Sequence, residues 1–139
     1  MAYINRNEFG TIIVNDKVIV DKIVGEILDL SDLIIPCNKK GKIIKSHPTP
    51  FIDPDNYDSV EYIDTRKNYR VIIYFIVKFG VSINDVVDEI VKRINGVFNF
   101  LNLKTPDDII ISIKGIKTLD NIAKKDIEII RKNEHWNIA

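Results

Sequence analysis

Residues 69–79, YRVIIYFIVKF, constrain the fold of this chain more than any other stretch. Read as a strand, one face carries Tyr69, Val71, Ile73, Phe75, Val77 and Phe79, all apolar. The opposite face carries Arg70, Ile72, Tyr74, Ile76 and Lys78, apolar in the middle and charged at both ends. A strand apolar on both faces is normally covered on both faces. Something must therefore lie on the second surface, either the last helix expected in this chain or another molecule. Ile72, Tyr74 and Ile76 thus become candidate partner-contact residues, with coverage by a helix over 118–132 as the alternative.

The remaining pattern is organised around that strand. Gly80 ends it, and Ser82, with Asp85 three residues on, fits a capping box flanked by a Val81–Val86 staple. A strongly amphipathic helix follows, its stripe running from Ile83 through Ile90 and Ile94 to Leu101. Upstream, 11–14 reads as a short β-branched strand. Asn15 or Asp16 caps a helix reaching Leu30, in which Gly25 suggests a close packing contact. Residues 59–64 form a further strand, joined to the long one by a polar turn at 66–68. Downstream, 109–114 is a strand broken by Gly115. Leu119, Ile122, Ala123, Ile127 and Ile130 then recur at helical spacing over 118–132.

The segment 31–58 is least regular. It holds Pro36, Pro48, Pro50 and Pro54 and reads as a long loop with one or two short extended pieces, one near 42–46. Loops of that length inside compact domains are uncommon and are often functional. The expected architecture is a single α+β domain over 1–139. It has a three- to four-stranded mixed or antiparallel sheet, two main helices on it and a C-terminal helix. The core spans 10–116, and 117–139 is the C-terminal helix and tail.

Composition narrows the function. At 139 residues the chain can bury a core without staples, and its 45% hydrophobic and 29% charged residues fit a globular protein. Twenty basic residues cancel twenty acidic ones, which argues against a phosphate backbone as the principal ligand. Cys37 is the only cysteine, so neither an internal disulfide nor a multi-thiolate metal site can form. The first residues lack the apolar core of a signal peptide, and the longest apolar run, 71–77, is far short of the roughly 20 residues that span a bilayer. The expectation is a cytoplasmic chain without direct membrane insertion, held at any membrane by a partner.

Candidate chemistry is sparse. Asp53, Asp55, Asp58 and Glu61 alternate as in a calcium loop, but Asp58 occupies the place of the sharp-turn glycine and Asp64 that of the closing glutamate. Cys37, His47 and His135 lack the spacing of zinc ligands. No catalytic, metal or cofactor residue is expected. Lys39, Lys40, Lys42 and Lys45 form a basic stretch able to meet an anion, an anionic lipid surface or RNA. The Gly-x-x-Gly clamp of KH modules is absent, since no two glycines are three apart. Trp136, the only tryptophan, either covers a core edge or anchors a partner.

Two blocks resemble the alkaline-shock, or Gls-type envelope-stress, family of Gram-positive bacteria. The first is Gly10-Thr-Ile-Ile-Val-Asn-Asp-Lys-Val-Ile, similar to the family's glycine, short β-branched strand and polar cap before a helix. The second is Ile76-Val-Lys-Phe-Gly-Val-Ser-Ile-Asn-Asp-Val, similar to its long strand ending in aromatic-Gly-Val before a second helix. Residues 108–116 match its closing strand running into Gly-Ile. The family usually joins its first helix to the next strand more briefly than this chain does. The resemblance implies a compact sheet with helices, no catalysis and no cofactor. It also implies a scaffold or adaptor role in envelope homeostasis, through a protein partner, a membrane-anchored one included, or self-association. The alternative is a small KH-like RNA-binding module using the 39–45 loop.

Overall fold

The structure, a computed structural model, describes residues 2–7, 10–44, 58–64 and 69–133. β1 (Ala2–Asn7) and β2 (Gly10–Asn15) form a two-stranded antiparallel sheet, with Asn7 opposite Gly10 and Ala2 opposite Asn15. β2 is the expected strand; β1 is additional. Asn15 caps α1 (Asp16–Leu28), its Oδ1 accepting from the Lys17 N–H at 2.8 Å. That bond satisfies one of the free donors at a helix start. Ile19, Ile23, Val24 and Ile27 form the buried face. Gly25 makes no close contact: a Cβ there would meet nothing within 4 Å.

The main sheet is mixed and has five strands: β3 (Ile34–Pro36), β4 (Val60–Asp64), β5 (Tyr69–Lys78), β6 (Asp108–Lys117) and β7 (Ile122–Lys132). β6 runs parallel to β5, from Arg70 opposite Asp108 to Lys78 opposite Lys117. Such pairing requires a long crossover, here α2 (Ile83–Phe100). Ser82 caps α2 as expected, its Oγ accepting from the Asp85 N–H at 3.4 Å. The other side of β5 is shared. β3 pairs antiparallel with 75–77 and β4 with 69–73, so the two short strands lie end to end along one neighbour. The chain leaves that line after Cys37, whose N–H donates to the Tyr74 carbonyl at 3.3 Å, and rejoins it at Val60 opposite Ile73.

The core lies between α1, α2 and the sheet face carrying Val71, Ile73, Phe75, Ile109, Ile111 and Ile113. Each large apolar side chain taken fully out of water contributes about 1.5–3 kcal/mol. Tyr69 stacks on Phe98 with centroids 5.6 Å apart. On the outer side of the helices, Arg93 of α2 reaches Glu26 and Asp29 of α1 and Glu89 of its own helix, each at 2.9 Å. The Asp29 hydrogen bond, then that of Glu89, holds its guanidinium above the usual arginine pKa.

The α+β class, the mixed sheet and the two main helices are those expected. The C-terminal helix is not: residues 122–132 form β7, antiparallel to β6. The apolar residues Ile122, Ala123, Ile127 and Ile130 suit a helical stripe, yet a helix would leave the backbone edge of β6 unpaired. As a strand, 122–132 supplies that ladder and turns Ile127 and Ile129 to the core. Gly115 does not end β6 either. It lies within the strand next to a register shift, where a Cβ would meet the Ala123 carbonyl at 3.1 Å and Ile122 Cγ2 at 3.0 Å. The glycine therefore permits close strand approach rather than a break. Among the described residues, no helix is long and apolar enough to cross a membrane.

Candidate functional site

The first part of the proline-containing segment is ordered as a hairpin. Cys37 bridges to Ile43, and the Ile44 N–H donates to the Pro36 carbonyl at 3.2 Å. Gly41 N–H donates to the Asn38 carbonyl at 2.9 Å, Asn38 N–H donates to the Lys42 carbonyl at 2.9 Å, and Gly41 takes φ 85°. A tight turn followed by a left-handed glycine is a common three-residue hairpin closure. Asn38 reinforces it, its Oδ1 accepting from the N–H groups of Lys40 at 2.9 Å and Lys42 at 3.0 Å. The turn rests on β6, since a Cβ on Gly41 would stand 3.4 Å from Lys114 Cβ.

This hairpin answers the question posed by the second face of β5. Cys37, Tyr74 and Ile76 form a small second core, with Ile35, Ile72 and Ile122 packed against it. Tyr74 is 4% exposed and Ile76 1%. These two, expected as partner contacts, are therefore covered by the chain itself, through the hairpin and the start of β7 rather than through a helix. Ile72 is partly buried beside them. Burial pushes the Cys37 thiol up to about 11, with Lys114 pulling the other way. Burial, followed by the hydrogen bond to Glu61, pushes the Tyr74 hydroxyl up to about 12.

Beyond the hairpin the surface opens into a hollow of about 550 Å³. Lys39, Lys40 and Lys42 line it from the turn, Lys114 from β6, and Lys124 and Lys125 from β7. Gly41, Ile43 and Ile122 supply uncharged lining, and Asp126 is its single carboxylate. That carboxylate is engaged: Lys114 Nζ lies 3.0 Å from Asp126 Oδ1 and 5.9 Å from the Tyr74 ring centroid. The other five lysines make no ion pair among the described residues. Three of the four expected anion contacts thus fall together, while Lys45 lies outside the described residues. Lys114, Lys124 and Lys125 are additions. The Lys124-Lys125 pair is visible in the sequence, but a helical reading gives no reason to set it against the 39–42 turn.

Other surfaces differ in character. A groove of about 400 Å³ between α1 and α2 mixes Lys22, Lys92 and Arg93 with Glu26 and Glu89, and Lys22 Nζ sits 5.2 Å from the Phe100 ring. A hollow beside β4 sets Lys39 and Lys40 against Asp58 and Glu61. At the end of the sheet, the Phe79 N–H donates to the Lys117 carbonyl at 2.8 Å. Phe79 is 77% exposed there, and Leu119, in the turn between β6 and β7, is 99% exposed.

Cys37 is buried, Asp58 precedes β4 and Glu61 lies in it, and Asp53, Asp55, His47 and His135 lie outside the described residues. Trp136 does too. Among the described residues no three acidic, cysteine or histidine side chains cluster as metal ligands. Compared with protein-family models, curated proteins and solved structures, the chain matches none.

Proposed function

We propose that this chain is a non-enzymatic adaptor of the envelope-stress kind, acting through protein contact at the Phe79–Leu119 end of its sheet. One observation carries the reading. Two large apolar side chains, Phe79 and Leu119, lie on neighbouring segments tied by a backbone hydrogen bond and are both largely exposed at one end of the sheet. Exposed apolar residues scattered singly are ordinary, whereas contiguous apolar surface marks a contact site, and the backbone bond brings these two segments to the same end of the sheet. The blocks that resemble the alkaline-shock family support the role: they form β2 with α1, the end of β5 with the start of α2, and β6. The state of the one thiol supports the non-enzymatic part. A buried thiol with its pKa raised to about 11 stays protonated at neutral pH and is a poor nucleophile.

The test is photo-crosslinking in the native host, with a crosslinking residue replacing Leu119 and, as a control, Lys92 on the outer face of α2. A discrete adduct, to a second copy or to another protein, is expected from position 119 alone. It should disappear in a Phe79→Ser background that keeps its unfolding midpoint. Equal labelling from both positions, or none from either, refutes the assignment.

A further inference from the structure

We infer that the lysine-lined hollow between the 36–44 hairpin and the β6–β7 hairpin binds a compact anion bearing linked phosphoryl groups. The inference is independent of the adaptor role. Its basis is a departure from the charge balance of the whole chain. Twenty basic residues match twenty acidic ones overall, yet this hollow gathers six lysines and one aspartate. The aspartate is already held at 3.0 Å by Lys114, and the other five lysines that line the hollow have no carboxylate partner among the described residues. Like charges drawn together on a folded surface repel one another, within a Debye length of about 8 Å at physiological salt. A multivalent anion seated among them removes that repulsion.

The lysines are also positioned. Asn38 clamps the backbone of Lys40 and Lys42, and Gly41 closes the turn in the left-handed region. Lys114 is anchored by Asp126 and by the Tyr74 ring, while Lys124 and Lys125 are carried by a strand paired to β6. Side chains rooted in a fixed turn and a paired strand lose less freedom on binding than those on a loose tail. The hollow, at about 550 Å³, is of a size that houses small molecules. Lysine meets phosphate as a point charge from several directions, which suits a cluster of phosphoryl oxygens better than one planar carboxylate.

Carboxylates bound the hollow. Asp58 and Glu61 lie beyond Lys39 and Lys40, and Asp126 and Glu128 follow Lys124 and Lys125 along β7. A nucleic-acid track needs positive charge that continues along a backbone, and here it is interrupted on both sides. The geometry thus favours a small anion over a polymer.

Inorganic tripolyphosphate is the probe, read by titration calorimetry and by the thermal unfolding midpoint of the full chain. Expected are saturable binding at one site, at least about ten-fold weaker binding of orthophosphate, and a midpoint that rises with tripolyphosphate because the ligand binds the folded form. Lys40→Gln/Lys124→Gln should weaken binding about ten-fold or more, since affinity here is charge-driven and salt-sensitive. Lys22→Gln/Lys92→Gln, which removes two charges from the helix side, should leave it unchanged. Lys114 is left intact, because it is tied to Asp126 and lies over Tyr74. Both double variants should unfold like wild type without ligand. Absence of binding, or equal loss in the two variants, overturns the inference. So does an RNA oligonucleotide that binds more tightly than tripolyphosphate, or an anionic vesicle that captures the protein undisturbed by tripolyphosphate. Those last outcomes assign the hollow to a polymer or to a membrane surface.

Discussion

Replacing Gly115 by alanine tests the packing between β6 and β7 through the sign of one number. In an extended strand with ordinary φ, Gly→Ala stabilises by about 0.4–1 kcal/mol, because the unfolded chain loses freedom. At Gly115 the added methyl would meet the Ala123 carbonyl at 3.1 Å and Ile122 Cγ2 at 3.0 Å, with Ile76 Cγ1 at an ordinary 3.6 Å. The carbonyl is backbone held in a ladder, and the isoleucine branch is stiff, so the strands must part by a few tenths of an ångström. Overpacking of that kind costs about 1–3 kcal/mol. The balance is a net loss of about 0.5–2 kcal/mol, or roughly 2–7 °C in Tm for a chain this size. Urea unfolding followed by far-ultraviolet circular dichroism measures it. Gly25→Ala and Gly96→Ala serve as controls, at helical positions where nothing lies within 4 Å, and each should gain about 0.5–1 kcal/mol. If Gly115→Ala proves as stable as wild type or more so, the close approach described here is wrong.

Four further outcomes are expected. Cys37 titrates at about 11 instead of 9.0 and Tyr74 at about 12 instead of 10.0 in the folded chain, so the folded state keeps protons that the unfolded chain has released. The stability this contributes is whole below pH 9 and is lost as pH rises through 9–11 for Cys37 and 10–12 for Tyr74, amounting to about 2–3 kcal/mol for each at most. Denaturant midpoints taken from pH 8 upward should fall accordingly, and Cys37→Ala should flatten the first part of that fall; parallel curves would refute the assignment. Arg93→Met, which frees Glu26, Asp29 and Glu89, should cost about 1–2 kcal/mol after discounting their exposure, and less at high salt. Tyr74→Glu should unfold the chain, since that side chain is buried beside Cys37 and Ile76; a folded variant by circular dichroism would mean the hairpin does not cover it. Ser82→Ala should cost about 1 kcal/mol in the same unfolding assay by removing the α2 cap.

What could be read in advance follows from where the ordering forces lie. α2 and β5 were legible because each carries its instruction locally, in a full apolar stripe, a cap and a terminating glycine. β7 was not. This edge strand turns only Ile127 and Ile129 to the main core and Ile122 to the second, so its period of two is too short to outweigh the accidental helical spacing of Ile122, Ala123, Ile127 and Ile130. Gly115 is ambiguous for a related reason, since a glycine needed by a neighbouring strand looks in sequence like a glycine that ends one. The hollow divides along the same line. Lys39, Lys40 and Lys42 stand out as a charge run, and Asn38 with Gly41 is a recognisable turn. Their meeting with Lys114, Lys124 and Lys125 depends on the register of β6 against β7 and on where the hairpin comes to rest, which no window of sequence contains.

The end-to-end arrangement of β3 and β4 along β5 has a practical consequence. Each half of that edge is anchored separately, β3 by Val77 to Phe75 and β4 by Ile73 to Tyr69. A polypeptide severed between residues 44 and 58 would thus leave two pieces that both still dock on one strand. The first would bring α1 and the lysine turn, the second the rest of the sheet and α2. Closure entropy rises only slowly with the length of a connecting segment, so lengthening this particular link costs the continuous chain little. Co-expressed as separate polypeptides, the two pieces should find each other, and the break point is where a foreign module could be spliced in without asking the sheet to change.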